Sequence, residues 1–151
     1  MISAISFALI ASAGGEDYAS PSFASCTLPG GARTVLYVKE LPYKIQKDIE
    51  DKFPNIAHRD EKYQRHDIIK ENNLPGRRFV GGLLYKDSWT IVYEHGHPDH
   101  IHAIRYYHTR PSANKNERDF ILIQGANLVG PICPIIYASF SGVFSSDSGH
   151  Y

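Results

Sequence analysis

The chain has 151 residues, with 16 basic and 16 acidic side chains, so its formal net charge is zero. That length fits one domain, which can bury roughly 68–70% of its unfolded surface without needing a metal or disulfide to fold. Zero net charge excludes a strong global field for nucleic acid or an anionic membrane. It also favours self-association, so a homodimer is among the expected states.

The first thirteen residues, MISAISFALIASA, are apolar and small. They end in Ala11-Ser12-Ala13, an A-x-A pattern that reads as an export signal removed near Gly14, although no basic residue precedes the apolar core. The run is too short to span a bilayer, and no membrane span is expected. Two cysteines, Cys26 and Cys133, fit an exported protein closed by one disulfide. The expected location is therefore periplasmic or secreted. Residues 14–32, rich in Gly, Ser, Ala and Pro, form an N-terminal arm ahead of a single domain over 33–144. Residues 145–151 form a flexible tail.

Within the domain, RTVLYVK (33–39) alternates as a strand does. ELPYKIQKDIEDKFP is the clearest helix, over about 41–53. Leu41, Ile45, Ile49 and Phe53 make one apolar stripe, and Pro42 and Pro54 bracket it. The face carrying Lys44, Lys47, Asp48, Asp51 and Lys52 reads as a solvated surface. Residues 57–78 are polar, with turn chemistry at Asn72 to Gly76. Three strand-like runs follow: FVGGLLY (79–85), WTIVYEHG (89–96) and HIHAIRYYH (100–108). Their short links make an antiparallel meander over about 79–108. Gly81-Gly82, inside the first of them, marks a bulge or a close backbone approach. DFILIQGANLVG and PIIYASFSGVF are apolar enough to be buried strands. The fold class is α+β: one principal helix packed on an antiparallel sheet of five to seven strands.

Four of the eight histidines fall between Glu94 and His102, in EHGHPDHIH. A two- or four-residue loop pairs His95 with His102, Tyr93 with Ile104, Ile91 with Tyr106 and Trp89 with His108. All of these then share one sheet face with His97 and His100. Imidazoles so placed can converge on zinc or another transition metal. The opposite face carries Glu94 and Arg105, which can pair diagonally. HGHPDH also resembles the H-x-H-x-D-H zinc motif of metallo-β-lactamase-like hydrolases. The resemblance covers six residues. It implies His95, His97 and His100 as metal ligands, Asp99 as a ligand to a second metal, and an activated hydroxide. In that family the motif runs into a helix, whereas IHAIRYYH alternates as a strand, so this reading stays an alternative.

The leading functional expectation is a small exported, non-catalytic binding protein of inhibitor or immunity type. It would grip a protein partner through an exposed sheet face, with Trp89, Tyr93 and Tyr106 as anchors. One alternative is a metal-binding protein or zinc-dependent hydrolase at His95, His97, His100 and His102. The other is a metal-independent nuclease-like toxin, with His95 or His102 as base and Arg78 or Arg105 at the phosphate.

Overall fold

The computed structural model describes residues 20–65, 73–86, 88–96, 100–108, 120–122 and 128–141. The expected export signal and tail lie outside them. Among the described residues the fold is α+β, with two helices and one antiparallel sheet of six strands, and no helix is long and apolar enough to cross a membrane.

Four strands follow one another across the sheet: β1 (Arg33–Val35), β2 (Arg77–Tyr85), β3 (Ser88–His95) and β4 (Ile101–His108), each antiparallel to the last. The outer edge of β4 is then shared. β5 (Phe120–Leu122) pairs with its C-terminal end and β6 (Leu128–Gly130) with its N-terminal end, like one interrupted strand. β1 is shorter than the alternation over 33–39 suggests. The backbone N–H groups of Leu36 and Tyr37 both donate to the Glu40 carboxylate, and Val38–Glu40 turns as a 3-10 helix. That local network competes with the ladder and ends the strand.

Helix α1 (Tyr43–Lys52) lies where the apolar stripe placed it. Pro42 precedes its first residue, and Asn55 leaves it with a left-handed φ of 64° just after Pro54. Leu41, Ile45, Ile49 and Phe53 are all buried against Phe79, Trp89, Ile91, Tyr93, Ile104 and Tyr106. One member of the expected solvated face has another role. Asp48 accepts a hydrogen bond from the Tyr106 hydroxyl at 2.7 Å and an ion pair from Lys52, and so ties the helix to the sheet.

The other sheet face is covered as well. PIIYASFSGVF is not a strand: α2 (Ile132–Ser141) takes up most of it. Ile132, Ile135, Ile136 and Phe140 recur at helical spacing and pack on Val80, Leu83, Val92, Ile101 and Ala103 together with Phe23, Leu28 and Ala32 of the N-terminal arm. A disulfide between Cys26 and Cys133 fastens that arm to α2, and the Thr27 N–H donates to the Tyr137 hydroxyl. With an element on each face, the central strands are buried on both sides, and so Trp89 to Glu94 are all buried rather than alternating.

Gly81-Gly82 meets both expectations. The ladder with β3 slips between Phe79 and Gly81, and the Arg59 guanidinium donates to the carbonyl of the bulged Val80 at 2.7 Å. A Cβ on Gly81 would lie 2.5 Å from the Phe23 ring, and one on Gly82 would lie 2.8 Å from Leu41. Ile49 has no exposed surface and Ile45 only 1%. Truncating either to Ala should cost about 2–4 kcal/mol, while Lys47→Ala on the exposed side should cost under about 0.5 kcal/mol. Urea unfolding of the three variants checks this, and equal losses would refute the face assignment.

Candidate functional site

The hairpin joining β3 to β4 sets the site. Its last ladder pair is Glu94 with Ile101, and the His95 N–H then donates to the His100 carbonyl at 3.2 Å. Gly96 begins the loop with a φ of 66°, a backbone state that an L side chain resists. The register therefore differs from the expected one. His102 is opposite Tyr93 rather than His95, Ile104 is opposite Ile91, and Tyr106 is opposite Trp89. The slip is two residues, so side-chain parity is kept and the faces are those expected. His95 and His102 become diagonal neighbours on the α1 face. Their rings meet edge to face with centroids 5.8 Å apart.

Around them runs a chain of ring contacts. The Tyr93 ring stacks on His102 at 5.2 Å, inclined by only 14°, and Phe53 lies 4.8 Å from Tyr93. The Arg77 guanidinium sits over Phe53 at 4.7 Å, and Arg77 is directly opposite His95 in the ladder. Arg77, His95 and His102 are all partly exposed, while Phe53 and Tyr93 are buried beneath them. The result is two imidazoles and a guanidinium on a fixed aromatic floor, at the end of the sheet. The buried Nε–H of Arg77 has no acceptor among the described residues.

The next rung of the same strands faces the other way. Glu94 is opposite Arg78, whose Nε donates to its carboxylate at 2.7 Å. Glu94 is fully buried, and Arg78 is roofed by the Tyr63 ring at 4.7 Å. Burial pushes the Glu94 carboxyl above its ordinary range. The hydrogen bond and charge of Arg78, then the charge of Arg65 and the Tyr63 hydroxyl, pull it back only in part. The segment 57–65 that carries Tyr63 is pinned to β2 by a parallel bridge of Ala57 to Arg78, and by backbone bonds from Ala57 to Arg77 and from Phe79 to Ala57.

Several expected site residues fall elsewhere. Trp89, Tyr93 and Tyr106 are 7%, 3% and 2% exposed. They form the core under α1 and present no anchors to a partner. Arg78 and Arg105 do not share the histidine face. Arg78 is spent on Glu94, and Arg105 donates to the Ser88 hydroxyl at 3.2 Å, so the expected Glu94–Arg105 pair does not form. His97 and Asp99 lie outside the described residues. Among the described residues no group of three His, Cys, Asp or Glu side chains could hold a metal ion. After His100 the chain enters β4 rather than a helix, unlike the zinc motif that HGHPDH resembles.

Arg77 is the residue the sequence did not single out. Its place opposite His95 depends on the bulge at Val80, which no periodicity announces. Comparison with known protein families, curated proteins and solved structures finds no match for this chain.

Proposed function

We propose that this is a small exported binding protein that takes an anionic group of its partner at the sheet end formed by Arg77, His95 and His102. The observation that carries the reading is Arg77 directly opposite His95 in the ladder, with its guanidinium over Phe53, on the face where the His95 and His102 rings lie 5.8 Å apart. A permanent cation beside two imidazoles attracts a phosphate, sulfate or carboxylate and repels a divalent metal ion. Because both sheet faces are covered, the working surface moves from the expected open face to this end. The disulfide supports export, since such bonds persist in oxidising compartments.

Pyrophosphate titration followed by histidine NMR signals tests the proposal. Binding should strengthen as the imidazoles gain positive charge, because imidazolium adds to the attraction. Arg77→Gln should weaken it at least about tenfold, equivalent to roughly 1.4 kcal/mol. If zinc binds to the wild type but pyrophosphate does not, the zinc reading of the hairpin cluster that includes His97 replaces this one.

A further inference from the structure

We propose that His95 and His102 form an acid–base pair that cleaves a ribonucleoside phosphodiester held by Arg77. This rests on the anion-binding reading above and adds a reaction to it. If the site only attracted charge, lysine or arginine would serve at all three positions. A pair of imidazoles differs because, near neutral pH, one can accept a proton while the other donates one. Their centroid separation of 5.8 Å lets both rings reach oxygens of one phosphodiester.

The site is also held in place, as such a step requires. Tyr93 lies nearly parallel against His102 and fixes its plane, Phe53 holds Tyr93, and Arg77 lies on Phe53. Glu94, next to His95 in the strand, faces the opposite side and is committed to Arg78. It therefore does not neutralise Arg77. Zero net charge disfavours tracking a long phosphate backbone, and the aromatic floor is buried, so no ring is offered for base stacking. The substrate is therefore a short diester recognised at a single phosphate, with little base preference.

The step balances with no metal, oxidant or co-reactant. One imidazole takes the proton from the 2′-hydroxyl as the O2′–P bond forms, and Arg77 stabilises the charge on the phosphoryl oxygens. The P–O5′ bond breaks, and the other imidazolium protonates O5′. The products are a 2′,3′-cyclic phosphate and a 5′-hydroxyl.

The test uses a ribodinucleoside monophosphate in the presence of EDTA, beside its 2′-deoxy counterpart, with binding of both followed by NMR. We expect cyclic phosphate from the ribo substrate, a bell-shaped pH profile, and no cleavage of the deoxy compound. His95→Gln and His102→Gln, purified identically and checked by circular dichroism, should each lower the rate by about 10²–10⁴-fold. Arg77→Gln should raise KM. Binding of both compounds without cleavage overturns the reaction and leaves the anion site standing. Binding of neither overturns both. Cleavage that EDTA abolishes, or that survives in both histidine variants, also overturns the acid–base pair.

Discussion

Arg78→Ala is expected to destabilise the protein by about 3–5 kcal/mol near pH 7, because it strands a fully buried carboxylate without its partner. For a chain of this size that corresponds to a fall in Tm of roughly 10–15 °C. The cost should depend on pH in a defined direction. Burial holds the Glu94 carboxyl above the ordinary glutamate value of 4.5, against the opposing pull of Arg78, Arg65 and Tyr63. The folded chain thus binds this proton more tightly than the unfolded chain does. The stability so conferred is fully present below the unfolded value and is lost as pH rises through the folded one. Removing Arg78 removes the largest opposing influence, so the loss becomes larger and extends to higher pH. The variant should therefore be closer to wild type near pH 4.5 than near pH 7. Glu94→Gln has no such proton to lose, and adding it to Arg78→Ala should restore much of the stability near pH 7. Urea unfolding of the four proteins at both pH values gives the result. An Arg78→Ala cost that is equal at the two pH values, and untouched by the second substitution, would show that the pair is not what holds this corner.

That corner also explains why the candidate site was only half legible. The histidine face could be read because parity in a hairpin survives a slip of two residues: His95 and His102 stay together whether or not they are directly opposed. Which arginine joins them could not be read. Arg77 and Arg78 are adjacent, they face opposite sides, and the bulge between Phe79 and Gly81 decides how β2 registers on β3. Helix α1 was legible because Leu41, Ile45, Ile49 and Phe53 stand against a polar face, whereas α2 was not because its run is apolar almost throughout. Periodicity separates helix from strand poorly in such short apolar runs. Even so, Ile132, Ile135, Ile136, Ser139 and Phe140 keep helical spacing, and Pro131 and Pro134 at its start are helix-opening signals. The missed second helix had a functional consequence. With α2 assigned as strand, one sheet face stayed open, and alternation did not decide which face meets α1, so the aromatics Trp89, Tyr93 and Tyr106 that pack under α1 looked like partner anchors.

With both faces covered, the proposed site lies at one end of the sheet. The far end of β3 and β4 from the histidines is occupied by structural ties: Tyr106 to Asp48, and Arg105 to Ser88. The histidine end instead leaves two imidazoles and a guanidinium partly exposed above a rigid floor. Conformational freedom there would cost affinity, and the floor of Phe53 and Tyr93 removes much of it. The buried Arg78–Glu94 rung sits one residue behind and fixes the same two strands from the opposite side. The prediction for Arg78 thus reports on stability, whereas the prediction for Arg77 reports on binding, and the two adjacent arginines should separate cleanly in experiment.

Removing the disulfide, by Cys26→Ala with Cys133→Ala, is expected to cost about 3–5 kcal/mol. The bond joins residues 107 apart in sequence. In the chain-entropy account a loop of that length is worth roughly 4.7 kcal/mol, through the freedom it removes from the unfolded chain. The loss should be felt unevenly. The arm carrying Phe23, Leu28 and Ala32 packs on the sheet beside α2, and the bond is the covalent tie between them. The α1 face has its own core and its own cross-tie from Asp48 to Tyr106. Hydrogen exchange should therefore accelerate most in residues 20–32 and in α2, while α1 keeps its protection relative to the lowered global stability. The wild-type protein, denatured without reductant, should titrate no free thiols. A fall in Tm of less than about 3 °C in the double variant would mean that the arm and α2 hold together without the bond. Equal loss of protection on both faces would mean that the sheet does not separate two cores of unequal dependence on it.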